Sequence, residues 1–122
     1  MKADLAVFKA FSDETRLRIL FLLSKRELCV CEIVAVLGVP QGRISRHLAM
    51  LKQAGLLSDR RDSTWIYYSM VAPTNGLTRR LGAYLRDSSD LCEQVQRDHE
   101  QLELLACQGV ICVPNPVYLP QT

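Results

Sequence analysis

A mainly α-helical domain with one small β-hairpin is the fold class this sequence predicts, and three observations predict it. Apolar residues recur at helical spacing through most of residues 5–51, a short link bearing Gly38, Pro40 and Gly42 joins two of these segments, and an aromatic strand-like run follows at residues 65–70. The chain has 122 residues, and such a length buries roughly two-thirds of its unfolded surface in one core. A second independent domain is not expected. With 48% hydrophobic and 23% charged residues, the composition is neither that of a disordered chain nor that of a membrane protein. No apolar run approaches the ~18 residues that a spanning helix needs.

The elements follow in order. Leu5, Phe8, Ala10 and Phe11 suggest a short first helix ending at Ser12, and Ser12 is expected to cap a second helix whose first turn carries Asp13 and Glu14. Leu17, Ile19, Leu20, Phe21, Leu22 and Leu23 make that second helix apolar over most of its circumference, which places it in the core. Val30, Ile33, Val34 and Leu37 mark a third helix starting at Cys29 and stopped by Gly38. After the link Val39-Pro40-Gln41-Gly42, the residues Ile44, Leu48 and Leu51 form the buried stripe of a fourth helix ending at Gly55. Ser58–Arg61 and Trp65–Met70 read as two strands joined by a turn at Asp62-Ser63-Thr64. Leu77, Leu81, Tyr84 and Leu85 define a fifth helix, and Asp90 with Glu93 offers a capping pair for a sixth, striped by Leu91, Val95, Leu102 and Leu105 and running to about Ala106. Three prolines and no periodicity make the last stretch an expected extended tail, so the domain is expected over 1–106 and the tail over 107–122.

Two crossing helices, the second with basic and amide residues at its start, followed by a hairpin with arginines near its tip, make a winged helix-turn-helix. The charge distribution agrees. Net charge is only +2, but Arg43, Arg46, Lys52, Arg60 and Arg61 face one Asp59 across residues 41–61, whereas residues 87–104 are dominated by acids. Gln41, Arg43, Ser45 and Arg46 carry the amide, hydroxyl and guanidinium groups that read major-groove edges, and Arg60, Arg61 and Thr64 are placed for phosphate or minor-groove contact. His47 lies nearer the apolar stripe, so packing competes with base contact there. Trp65, Tyr67 and Tyr68 are expected to pack the wing. A palindromic operator needs two recognition helices about 34 Å apart, so a homodimer is expected, with Leu5, Phe8, Leu91, Val95 and Leu102 as its apolar seam.

Five cysteines, an odd number, follow a start without a secretory signal core. A disulfide framework is therefore not expected, and a cytoplasmic location with reduced thiols is. Four segments, Ser12 to Leu20, Glu27-Leu28-Cys29-Val30-Cys31-Glu32, Ile44 to Leu51 and Trp65-Ile66-Tyr67-Tyr68, resemble the arsenical-resistance repressors of the ArsR/SmtB family over about residues 3–72. The resemblance implies a homodimeric repressor of operator DNA in which the Cys29/Cys31 segment binds As(III) or Sb(III) and the DNA is then released. Thiolates are soft ligands suited to such ions.

On an ideal helix, however, residues two apart are rotated by about 200°, which would hold Cys29 and Cys31 too far apart to share an ion unless the helix start unwinds. The related repressors carry a third cysteine three residues beyond the pair, where this chain has Val34. The third thiolate is therefore expected from Cys107 or Cys112, or from outside the protein, while Cys92 is expected to pack as a small apolar residue. Two alternatives stay open in the same fold: a thiol redox or persulfide sensor, and a sensor of cadmium or lead. An enzyme is disfavoured, since there is no Cys-x-x-Cys, no phosphate-cradling glycine loop and no Ser/His/Asp grouping.

Overall fold

The computed structural model describes residues 1–88 and 92–108. Asp90, Leu91, Cys112 and the expected tail from residue 109 onward lie outside the described residues. Among the described residues, six helices and three strands run in the order α1 (Lys2–Phe11), α2 (Glu14–Leu23), β1 (Leu28–Cys29), α3 (Val30–Leu37), α4 (Gln41–Gln53), β2 (Leu57–Asp62), β3 (Trp65–Met70), α5 (Gly76–Asp87) and α6 (Glu93–Gln108).

The first helical corner is built differently from expectation. Asp13, not Ser12, caps α2: its carboxylate accepts the Arg16 N–H at 3.1 Å, a bond that also lowers the Asp13 pKa below the usual carboxylate value. Ser12 instead closes α1 by donating its hydroxyl to the Lys9 carbonyl at 2.7 Å. The two roles differ because Asp13 is the residue with extended backbone before α2, and a carboxylate there also meets the positive helix end.

Helix α2 buries five successive residues, Ile19 to Leu23, and forms the centre of the core. Ile33 and Leu37 of α3 and Ile44, Leu48 and Leu51 of α4 close over it. The α3–α4 link turns at Gly38, whose φ of 68° is left-handed and whose N–H bonds the Val34 carbonyl at 2.9 Å.

The wing is an antiparallel β2–β3 hairpin with Asp62 paired to Trp65, so only Ser63 and Thr64 connect the strands, and Ser63 takes a positive φ of 61°. A third strand joins it, which periodicity did not reveal. Leu28 and Cys29 pair with Tyr68 and Tyr67, giving the sheet order β1-β3-β2.

Helix α6 packs back on α2 through the buried Asp98, which takes two bonds of 2.9 Å from the Arg18 guanidinium. Val95 and Leu102 are 3% and 4% exposed within the single chain, so they belong to its own core and are not available to the dimer seam expected of them. Leu5 and Phe8 remain exposed, as does Leu104. Helix α6 continues to Gln108, two residues beyond the expected end, and thereby carries Cys107 in its last turn. Cys92, expected to be packed, is exposed.

Candidate nucleic-acid interface and thiol pair

Helix α4 presents one buried and one open face. Ile44, Leu48 and Leu51 are fully buried, and this fixes the rotation of the helix so that Gln41, Arg43, Ser45 and Arg46 are exposed on the opposite side near its N-terminus. His47 falls between the two faces. Its Nδ1 lies 3.3 Å from Arg16 Nη1 and its Nε2 lies 3.9 Å from the Asp13 carboxylate. Arg16 also donates to the carbonyls of Ala10 and Lys9, at 2.9 and 3.1 Å. His47 thus ties the recognition helix to the α1–α2 corner. Burial pushes its pKa down, Asp13 opposes this, and Arg16, Arg43 and Arg46 add to it. A neutral ring accepting at Nδ1 from Arg16 suits this arrangement.

In the wing, Arg61 and Thr64 are exposed. Arg60 is tied down: its Nε and Nη2 reach the Glu27 carboxylate at 2.9 and 2.8 Å, and its guanidinium carbon sits 4.5 Å over the centre of the Tyr67 ring.

The thiol pair sits where β1 becomes α3. Cys29 is the N-cap residue, with extended backbone (φ −88°, ψ 167°), and α3 starts only at Val30. The two sulfurs stand 3.2 Å apart. The expectation that they would be held apart is therefore corrected: an ideal-helix projection does not apply to a residue that lies in a strand, and no unwinding is needed to bring them together. Tertiary pairing with Tyr67 decides this, because it draws Cys29 into the sheet. Cys29 is fully buried against Tyr67, with Cys31 and Trp65 alongside.

Glu32 completes the junction by accepting the Cys29 N–H at 2.9 Å, with Arg26 at 3.8 Å from its other oxygen. Burial pushes the Glu32 pKa up. The Cys29/Glu32 spacing is that of a capping box, a signal present in the sequence and not used there. A cavity of ≈ 180 Å³ opens beside Cys31, bounded by Val30, Gln41, Thr64, Trp65 and Ile66. It touches the first residue of the recognition helix and the tip of the wing. Among the described residues no three His, Cys, Asp or Glu side chains gather as a metal site. The third ligand sought at Cys107 or Cys112 falls on a residue placed only by the α6 backbone and on one outside the described residues.

Residues 13–59 match the family model described as bacterial regulatory protein, arsR family. The homodimeric winged helix-turn-helix DNA-binding domain Mb0332 from Mycobacterium bovis superposes with a TM-score of 0.60 at 31% identity, covering 73% of this chain and 80% of that one. This chain belongs to the ArsR family. Its fold is the winged helix-turn-helix of DNA-binding transcriptional regulators, which are not enzymes. Among curated ArsR relatives, the arsenic resistance transcriptional regulator ArsR1 of Pseudomonas putida is 49% identical over 65 residues, 52% of this chain and 51% of that protein. The arsenical resistance operon repressor of Escherichia coli is 49% identical over 65 residues, 52% of this chain and 56% of that protein. The chain thus spans about half the length of these relatives. No described helix is long and apolar enough to cross a membrane.

Proposed function

We propose that this ArsR-family chain is an arsenite- or antimonite-responsive repressor that acts in the cytoplasm. It binds operator DNA as a homodimer and releases it when the trivalent ion bonds to Cys29 and Cys31. Gln41, Arg43, Ser45 and Arg46 read the major groove, and Arg61 and Thr64 contact the backbone beside it. His47 supports the helix from behind. The third thiolate comes from Cys107 or Cys112.

The observation that carries this reading is the 3.2 Å separation of the two sulfurs at the β1–α3 junction. With a thiolate–metal length of about 2.3 Å as the scale, two sulfurs subtending about 90–110° at one ion stand about 3.3–3.8 Å apart. The pair is therefore nearly set for chelation, and binding needs a movement of tenths of an ångström. Each bond from sulfur to arsenic displaces one hydroxide of arsenous acid, which leaves as water with the thiol proton, and no electrons change hands. Because Cys31 lines a cavity together with Gln41 and Thr64, a small displacement there reaches both DNA-reading elements. The ion shifts the equilibrium only by its differential affinity for the two states.

The test uses a duplex selected from a random pool by the wild-type protein. Fluorescence anisotropy should show arsenite or antimonite lowering affinity, with the effect lost in Cys29→Ser and Cys31→Ser and weakened in the Cys107/Cys112 double serine variant. Release by cadmium but not arsenite would reassign the inducer. Release by mild oxidant alone, with a disulfide seen by mass spectrometry, would favour redox sensing.

A further inference from the structure

The wing and the thiol pair are joined through one rung of the sheet. Cys29 is paired with Tyr67, and Tyr67 is paired on its other side with Arg60. Directly opposed residues of neighbouring strands project from the same face, so sulfur, phenol ring and guanidinium stand in a row. The contacts agree: Tyr67, 3% exposed, packs on the fully buried Cys29, and the Arg60 guanidinium lies 4.5 Å over the Tyr67 ring. The same guanidinium then returns to the residue just before β1 by bonding the Glu27 carboxylate, two residues before Cys29, at 2.8 to 3.1 Å. The ring of contacts from Cys29 to Tyr67, Arg60, Glu27 and back along the chain is closed.

We infer that Arg60 is a positioning residue that transmits the state of the Cys29/Cys31 pair to the wing, and is not a phosphate contact. The inference rests on the reading of that pair as the inducer site. Two carboxylates face the Arg60 charge, Glu27 and, at 3.8 Å, Asp62, and both would oppose the approach of a phosphate to it. Arg61, the next residue, projects from the other face of the strand and is exposed. When an ion bonds to Cys29, the surface on which Tyr67 packs changes. Tyr67 and Glu27 then carry Arg60, and with it β2, to a new position relative to α4. The planar guanidinium suits this role because it holds a carboxylate with two donors while stacking on a ring, which a lysine ammonium does not reproduce.

The experiment measures affinity for the selected duplex over a salt series, with and without arsenite, for wild type, Arg60→Gln, Arg60→Lys and Glu27→Gln. Arsenite uptake by each free protein is followed separately by native mass spectrometry. A lost phosphate contact lowers the slope of log K against log salt by about 0.9, hence by about 1.8 in a dimer. The expected result is an unchanged slope in all three variants and full arsenite uptake. The arsenite effect on DNA affinity, roughly 5- to 150-fold for typical coupled sites, should fall to less than about 2-fold in Arg60→Lys and Glu27→Gln. A shallower slope in Arg60→Gln, or a steeper one in Glu27→Gln, would make Arg60 a phosphate contact and overturn the inference. So would an undiminished arsenite response in variants that still take up the ion. If wild type takes up no arsenite, the inducer reading fails first and this one with it.

Discussion

Glu32 is a carboxylate kept in the interior because it caps the turn that holds the thiols. Its pKa is raised by burial, against the Cys29 N–H bond and Arg26, which lower it. A carboxyl with a raised folded-state pKa binds more protons folded than unfolded. Its contribution is therefore greatest in acid and is lost as pH rises from the ordinary glutamate value of 4.5 through the folded-state value. Glu32→Gln keeps a carbonyl oxygen for the Cys29 N–H and removes the buried charge. Its melting temperature relative to wild type should accordingly be higher at pH 7 than at pH 4, as calorimetry at the two pH values would show; a difference independent of pH would contradict this account. At this scale the sequence was legible where side-chain chemistry suffices. That Gln41, Arg43, Ser45 and Arg46 lie on the open face of α4 could be read from the spacing of its buried stripe. Asp13 in place of Ser12 as the cap, and the exposure of Cys92, depended on single backbone angles and on packing that spacing does not encode.

Among the elements, the α3–α4 turn has the simplest physical basis. Gly38 must hold a φ of 68°, yet a Cβ built there meets nothing within 4 Å. The cost of Gly38→Ala is thus conformational alone, about 1–2 kcal/mol for an L-residue in the left-handed region. Chemical denaturation should show that loss with no change in m-value, since no packing is disturbed. The helix-turn-helix and the hairpin were both readable, because Gly38, the 3.6-residue stripe of α4 and the aromatic run of β3 are local signals. The two-residue strand β1 was not. It carries no periodicity of its own and exists only because Tyr67 and Tyr68 pair with it. That pairing moved Cys29 out of α3 and brought its sulfur to 3.2 Å from that of Cys31, where an ideal helix would have held the two apart.

For the whole molecule, the proposed homodimer needs an apolar face that a single chain leaves uncovered. Phe8 and Leu5 are 54% and 59% exposed on α1, large side chains that one chain leaves in water. Phe8→Asp should shift the protein from dimer to monomer in sedimentation velocity. Selected-duplex affinity should fall at least about 100-fold, since a monomer engages one half-site. A dimer that persists would place the seam elsewhere. Expecting Val95 and Leu102 in that seam failed for a physical reason. A helical stripe shows which face of α6 is apolar but not whether α2 of the same chain or α1 of another covers it, and the Arg18–Asp98 pair commits α6 to its own core. The amino-acid sequence by itself determined the fold class, the recognition helix and the wing, since these follow from local periodicity and side-chain chemistry. Only the tertiary structure decided that the two sulfurs meet and that Arg60 is bound back to Glu27, because both depend on pairing between segments more than 30 residues apart.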